Sequence, residues 1–377
     1  MNVPPFEATS QYQQLADKME KNICAAMAEG RYIMGPQVKE FEVQFAQYLG
    51  YNSVISCNSG TDALHLALRA LDIGSGDEVL TTPFTFIATT EAIGIVGATP
   101  IFVDVDPTTY NIDPRLIEAK ITERTKAILP VHLYGRPCDM TAIMAIARQY
   151  NLKVIEDCAQ ATGATFKGRK VGTFGDVGCF SFFPTKNLGC FGDGGATATS
   201  DPEIAERIEY LRRHGGKVKY QHSELGLNSR LDTIQAAVLL VKLPYLNQWN
   251  ANRATIADYY LSQLVEVDGI ILPAIDVLGQ SVWNQFTIRV LNGQRDRVQK
   301  ILKEGGVGSM VYYPIPLHLQ QVHANLGHSL GDFSASEQLS HEVLSLPMFP
   351  ELSTSAQEIV TESLKKALAS TCVPCNL

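Results

Sequence analysis

The run Cys179-Phe-Ser-Phe-Phe-Pro-Thr-Lys-Asn-Leu-Gly-Cys-Phe-Gly-Asp-Gly-Gly195 decides how this chain is read. It begins as an apolar strand, continuous from Val177 to Phe183, and passes at once into turn-forming residues. Such a strand is expected to be buried in a helix-covered sheet, and a lysine just past its carboxyl end projects into the crevice where α/β sheets bind ligands. Lys186 stands there. Upstream, Lys153-Val-Ile-Glu-Asp-Cys158 is a second strand that ends in a carboxylate, Asp157, at the equivalent edge. A lysine able to form a Schiff base and an acid able to keep a pyridine nitrogen protonated are the pair that pyridoxal phosphate (PLP) requires to act as an electron sink.

From about residue 50 to 200, short β-rich runs alternate with helical ones: Val54–Cys57, Glu78–Thr82, Pro100–Asp104, Lys126–His132, Lys153–Cys158 and Val177–Phe183. Helical stretches run over Asp62–Leu71 and over Asp139–Tyr150, the latter with Asp139 as its N-cap. The alternation predicts an α/β fold with a mostly parallel sheet. A long helical stretch from Pro244 to Leu264 comes next. After Gly269 the pattern changes to mixed strands such as Trp283–Val290 and a helix over Arg295–Lys303, which marks a second domain. The expected division is a large domain over 1–245, including an N-terminal helix, and a small domain over 246–377.

A chain of 377 residues, 45% hydrophobic and 19% charged, has the make-up of a folded globular protein of about two domains. Its net charge of −8 argues against nucleic acid as the main partner. No apolar run approaches the ~20 residues that span a bilayer, and Met1-Asn-Val-Pro-Pro lacks the pattern of a signal peptide, so no membrane partner and a cytoplasmic location are expected. The eight cysteines are scattered, as reduced thiols would be. Cys372-Val-Pro-Cys375 is the one close pair; without a second pair or a histidine cluster it reads as an inert tail, and no metal is expected.

Several residues near the strand ends could serve a ligand. Asn58-Ser-Gly-Thr61 follows a strand and opens a helix, so its backbone N–H groups could cradle a phosphate; it could equally be an ordinary cap. Asp72-Ile-Gly-Ser-Gly-Asp77 precedes a strand and reads as a turn, which leaves no dinucleotide or Walker motif. Thr85-Phe-Ile-Ala-Thr89 would put Phe86 where a flat ring could stack, although an aromatic there is also a common core residue. Gln160 could reach an oxygen substituent on a ring held by Asp157, or be a solvated amide. Ser181 could donate to a phosphate, or be merely small.

Together these readings converge. The sequence resembles, over nearly its full length, the nucleotide-sugar aminotransferases of the DegT type, which have the aspartate-aminotransferase fold. The resemblance rests on Ser59-Gly-Thr-Asp-Ala-Leu64, Gly76-Asp-Glu-Val79, Pro83-Phe-Thr-Phe-Ile-Ala-Thr89, Val131-His-Leu-Tyr-Gly135, Ile155-Glu-Asp-Cys-Ala-Gln160, Ser181-Phe-Phe-Pro-Thr-Lys-Asn187, Gly192-Asp-Gly-Gly195 and Asn228-Ser-Arg-Leu-Asp232. It implies a three-layer α/β/α large domain of the fold type I PLP enzymes with a smaller α+β C-terminal domain. It also implies a homodimer whose active sites lie at the subunit interface. Lys186 would be the catalytic Schiff-base lysine, Asp157 would pair with the pyridinium, Gln160 with the ring oxygen, and Phe86 would stack on the ring. Gly60, Thr61 and Ser181 would hold the phosphate together with Asn228 from the other chain.

The resemblance further implies a nucleotide-linked ketosugar as amino acceptor and L-glutamate as donor. Gly30, Tyr32, Thr185, Tyr312, Tyr313 and His318, with Arg230 from the neighbouring chain, would border the sugar. Relatives that dehydrate sugars carry histidine at the lysine position; here it is Lys186. The form Asn228-Ser-Arg-Leu-Asp232 looks most like members that aminate carbon 3, with UDP-linked uronic acids favoured over dTDP-linked 6-deoxy sugars, although the former can carry histidine where Tyr312 stands. The expected role is aminosugar synthesis for surface polysaccharide or glycoside. A sugar dehydratase on the same scaffold, and a regulatory protein that keeps the cofactor without turnover, are the alternatives.

Overall fold

The computed structural model describes residues 2–370; Cys372 and Cys375, expected to form an inert tail, lie outside the described residues. Helices α1 (Thr9–Glu29) and α2 (Pro36–Leu49) lead into β1 (Ser53–Cys57), α3 (Gly60–Ala70), β2 (Glu78–Thr81), α4 (Ala88–Ile95), β3 (Thr99–Phe102), β4 (Thr125–Ile128), α5 (Met140–Tyr150) and β5 (Lys153–Asp157). A small hairpin, β6 (Thr165–Phe166) and β7 (Arg169–Lys170), precedes β8 (Val177–Ser181), β9 (Gly195–Thr199), α6 (Pro202–Leu211), α7 (Thr233–Lys242) and the long α8 (Leu246–Leu264). The main sheet has seven strands in the order β1-β9-β8-β5-β4-β2-β3, parallel except for β9, which runs against both neighbours.

Alternate residues of each strand face opposite layers, as period-2 geometry requires. Ile55, Cys57, Ile155, Val177 and Cys179 pack on α3 and α6, whereas Val54, Phe180, Phe182, Ala196 and Ala198 pack on α2 and α7. Leu80, Ile128 and Val154 meet α5 on that second side. The result is the expected three-layer α/β/α architecture. Two details differ from the sequence reading. The run Lys126–His132 leaves the ladder at Ile128 and returns only as the single bridge Val131–Asp157, because Pro130 has no N–H to give. Strand β9, Gly195-Ala-Thr-Ala-Thr199, went unread because glycine and alanine have little strand propensity, yet all five residues are buried.

Past α8 come β10 (Ile270–Ile271), β11 (Gly279–Gln280), β12 (Phe286–Val290), α9 (Arg295–Glu304), α10 (Ser334–Glu342), β13 (Val343–Leu346) and α11 (Thr354–Ala369). β10, β12 and β13 form an antiparallel sheet of three strands; β11 instead joins the β6–β7 hairpin. A separate core gathers Ile256, Tyr260, Phe286, Ile288, Val298, Val360 and Leu364. Val3 belongs to this core, and Gly308 N–H donates to Val3 O at 2.8 Å. The first residues therefore pack on the C-terminal part of the chain, a correction to their expected place within 1–245: the backbone hydrogen-bonding groups around Val307 are met by this N-terminal segment. α8 joins the two parts, with Leu246 in one core and Ile256 in the other.

A buried ion pair fastens α2 to β1. Glu42 and Arg212 are 4% and 1% exposed, and Arg212 Nη1 meets Glu42 Oε1 at 2.7 Å. The same carboxylate oxygen accepts from Ser56 N–H at 3.0 Å and from its hydroxyl at 2.9 Å. Glu42→Ala is expected to lower unfolding stability in urea by about 2–4 kcal/mol, since it leaves the two Ser56 donors without this acceptor and takes one of two carboxylates from the buried Arg212, which keeps Glu209; a loss below about 1 kcal/mol would show that water reaches the pair.

Candidate active site

β5 and β8 are parallel neighbours, with Asp157 opposite Cys179, so the segments that leave their carboxyl ends open onto one crevice. Asp157 is 5% exposed. Its Oδ2 accepts from the Thr89 hydroxyl at 3.0 Å and its Oδ1 from Ala159 N–H at 3.1 Å. Burial raises its carboxyl above the ordinary value, while these two donors, Lys186 and His132 pull it back toward the ionised form. Lys186 is half-buried in the turn after β8, where Lys186 N–H donates to Phe183 O at 2.9 Å. Burial pushes its amine down to about 8, and the Asp157 carboxylate opposes that shift. An amine so placed is partly free base near neutral pH and can attack a carbonyl carbon.

The other parts of an anion cradle lie beside this pair. Ser59 caps α3 by accepting from Asp62 N–H at 3.1 Å, which leaves the Gly60 and Thr61 N–H groups for a ligand at the positive end of the helix. A Cβ on Gly60 would stand 2.7 Å from Ser181 Cβ, so a side chain would fill the space between the helix and β8. At Gly195 a Cβ would lie 2.3 Å from Ser59 O, which accounts for glycine where β9 passes beneath the turn. Phe86 is 55% exposed, with its ring 6.1 Å from that of Tyr313. Gln160 accepts from Tyr134 N–H at 2.7 Å and donates to Tyr313 OH at 3.1 Å. Burial raises the Tyr313 hydroxyl's pKa and so keeps it a neutral donor.

Behind Asp157 lies a saturated network. Glu156 accepts from His132 Nε2 at 3.1 Å and from the N–H groups of Gly172, Phe174 and Gly175 at 2.7–2.8 Å, while His132 Nδ1 accepts from Cys138 N–H at 2.9 Å. Although His132, Glu156 and Cys158 place donor atoms within 4.8 Å of one another, the histidine and carboxylate are already engaged, so the group reads as a lock on β5. These groups would suit a planar anionic pyridine cofactor: Gly60, Thr61 and Ser181 would hold a phosphate, Phe86 would offer its ring, Asp157 would face a pyridine nitrogen and Lys186 would supply an amine.

The sugar-bordering residues fall into separate groups. Thr185 and Tyr312 line one cavity of about 230 Å³ with Asn284, Gln285 and Met310. Gly30, with φ +68°, ends α1, and Tyr32 is 52% exposed. The bridge Ile33–Asp232 sets that stretch beside exposed Asn228 and half-buried Arg230. Among the described residues no hydrogen bond or ion pair joins Asn228 or Arg230 to Lys186 or Asp157. His318 is 2% exposed; its Nε2 meets Glu337 Oε1 at 3.0 Å and its ring packs 4.7 Å from Phe333, while its buried Nδ1 has no hydrogen-bond partner among the described residues. Thr89, Tyr134, Asn187 and Asn284 were not singled out from sequence. Thr89, Tyr134 and Asn187 lie within the runs that carry the resemblance, but nothing local marks Asn284.

The sequence pattern of the DegT/DnrJ/EryC1/StrS aminotransferase family matches residues 13–365. The chain is 48% identical over 366 residues to a pleiotropic regulatory protein of Geobacillus stearothermophilus, covering 97% of this chain and 98% of that one. It is 46% identical over 361 residues to a UDP-2-acetamido-2-deoxy-3-oxo-D-glucuronate aminotransferase of Pseudomonas aeruginosa, covering 95% and 98%. The crystal structure of DesV from S. venezuelae, in complex with a ketimine intermediate, superposes with a TM-score of 0.95 at 42% identity, covering 97% and 98%.

The depressed amine makes a pH test. Below its pKa Lys186 holds a proton and cannot attack, so covalent capture of PLP by the apoprotein, followed by absorbance after rapid mixing, is expected to accelerate as pH rises through about 8. A rise centred near about 10.4, the ordinary lysine value, would contradict the burial argument.

Proposed function

The chain belongs to the DegT/DnrJ/EryC1/StrS aminotransferase family, whose members use PLP, and we propose that it moves an amino group from L-glutamate to a nucleotide-linked 3-ketosugar. A UDP-linked 3-keto uronic acid is favoured and a dTDP-linked 3-keto-6-deoxyhexose comes next, in synthesis of surface polysaccharide or glycoside. The observation that carries the reading is a buried carboxylate, Asp157, beside an amine whose pKa is depressed by desolvation, Lys186, at neighbouring strand ends. The bound cofactor supplies an electron sink for the electrons of a broken C–H bond. Asp157 holds a proton on the pyridine nitrogen, and Gly60, Thr61 and Ser181 hold the phosphate. Lys186 anchors the cofactor between turnovers and, once released as a free amine, moves the proton from the donor α-carbon.

In the same reading two copies of the chain share their sites. Tyr32, Ile33, Phe86 and Phe183 are exposed apolar or aromatic side chains of the kind that a second copy would cover. A partner laid over them would bring its own Asn228 and Arg230 to the phosphate and the sugar. The division into a cofactor-binding part over 1–245 and a smaller part over 246–377 belongs to this reading, apart from the first residues. So does a cytoplasmic location, supported by free thiols at Cys57, Cys138, Cys158, Cys179 and Cys190; no helix among the described residues is long and apolar enough to cross a membrane. A dehydratase is disfavoured by Lys186. A regulatory role without turnover is raised by the Geobacillus relative's name, and a PLP absorbance shift on adding glutamate separates it from a transaminase.

Amino transfer from glutamate to UDP- and dTDP-linked 3-ketosugars, assayed side by side, tests the reading, and failure with both would refute it. Lys186→Ala is expected to bind PLP without covalent attachment and to lose turnover; normal turnover would sink the assignment. Asp157→Asn is expected to slow turnover on the order of 10²-fold, because a neutral amide cannot hold the pyridinium proton; a near-normal rate would mean another acid does so. Arg230→Lys is expected to lose roughly 1.5–3 kcal/mol in kcat/KM for the sugar, since an ammonium cannot replace a planar fork. The half-reaction with glutamate should change far less; equal losses in both halves would remove Arg230 from the sugar site.

A further inference from the structure

The turn that carries Lys186 is held by amides distant in sequence. Asn187 is 3% exposed; its Nδ2 donates to Asn250 Oδ1 at 2.7 Å and to Val282 O at 2.9 Å. Asn284, 6% exposed, donates from Nδ2 to Asn187 Oδ1 at 2.8 Å and reaches Thr185 O at 3.4 Å. Its hold therefore brackets Lys186, with one bond on the residue before it and one on the residue after.

Asn284 is itself fixed from both sides. Its N–H donates to Tyr134 O at 3.0 Å, and its carbonyl lies 3.4 Å from Arg253 Nη1. That guanidinium, 2% exposed, also meets Trp283 O at 3.2 Å and Met348 O at 2.9 Å. Tyr134 in turn gives its N–H to Gln160. One rigid chain thus runs from the β12–β13 part of the molecule to the turn at 185–187, and a branch of it reaches Gln160 in the crevice. Buried amides hold such geometry well, because a lost partner leaves a donor or acceptor that water does not reach.

We propose that Asn284 is a positioning residue for Lys186, acting through Asn187 and the Thr185 carbonyl to fix the amine relative to Asp157. The inference rests on Lys186 being the attachment residue. It asks nothing of substrate contact, although Asn284 also borders the cavity shared by Thr185 and Tyr312.

The test separates attachment from binding. Pyridoxamine phosphate has no carbonyl, so its affinity reports the phosphate cradle and Asp157 alone, whereas covalent capture of PLP by the full-length apoprotein reports the amine. Asn284→Ala is expected to keep pyridoxamine phosphate affinity within a factor of about three while slowing PLP capture on the order of ten- to a hundredfold. Its pH midpoint should rise above that of wild type, because a loosened amine is better hydrated. Asn187→Ala should give the same defect, with little added in the double variant. Asn284→Ser, which retains a hydroxyl donor, covers the case of an alanine variant that does not fold, and should recover part of the rate. Val360→Ala, a cavity in the small-domain core, controls for lost stability and should leave capture unchanged. Capture by Asn284→Ala at the wild-type rate and midpoint, or an equal slowing in Val360→Ala, would overturn the positioning role while leaving Lys186 in place. A wild-type protein that captured no PLP would instead overturn the reading of Lys186 itself.

Discussion

A carboxylate and an amine are both withdrawn from water at the ends of two neighbouring strands, and the arrangement around them is built on that pairing. Asp157 is raised by burial and Lys186 is lowered by it, so each resists the charge the other would welcome. Such a pair costs folding stability: a lysine with a depressed pKa binds its proton less readily when folded than when unfolded, and the folded state is penalised at every pH below that value. The penalty is tolerated because the strands beneath are fixed from both faces. Helices α3 and α6 close one side of β5 and β8, on the other side α2 and α7 cover β8 and α5 covers β5, and the Glu156–His132 network locks β5 one residue before Asp157.

The same fixed frame sets the phosphate cradle. Arg212 and Glu42 tie α2 to Ser56 on β1, two residues before Asn58. Asn58 exchanges hydrogen bonds with Ser229, whose hydroxyl donates to Asn58 Oδ1 at 3.1 Å and accepts its N–H at 3.4 Å. A continuous polar path therefore leads from a buried ion pair, through the turn that opens α3, to the segment between Asn228 and Arg230. If that segment serves a second subunit's site, one buried network orients residues for two sites at once. Glycine at 60 and 195 is what lets α3, β8 and β9 come close enough for this.

Much of the fold and of the crevice was legible in the sequence, and the reason is local. Strand and turn succeed one another within a few residues at Ser53–Ala70, where a helix follows, and at Lys153–Gln160 and Val177–Asn187, so the residue after each strand could be assigned to the crevice before its neighbours were known. What sequence did not reveal depends on pairing across distance. Asn284 reaches a turn almost a hundred positions earlier, β9 is a strand only because two neighbours bury it, and Val3 finds Val307 across nearly the whole chain. The surroundings of His318 were hidden for a related reason: Glu337 and Phe333, which enclose it, come later in the chain but carry no local sign that they turn back on it.

The central claim, that the amine facing Asp157 is the point of covalent attachment, is most directly tested by reducing the PLP-loaded protein with borohydride and mapping the modified peptide by mass spectrometry. A second lysine with a depressed amine makes this a fair contest: Lys242 is 3% exposed, and its amine is also pushed down to about 8, but it donates to Gly189 O at 2.7 Å and lies over the rings of Phe191 and Trp249. The account predicts the pyridoxyl group on Lys186. Its recovery on Lys242, or on no lysine at all, would contradict the account.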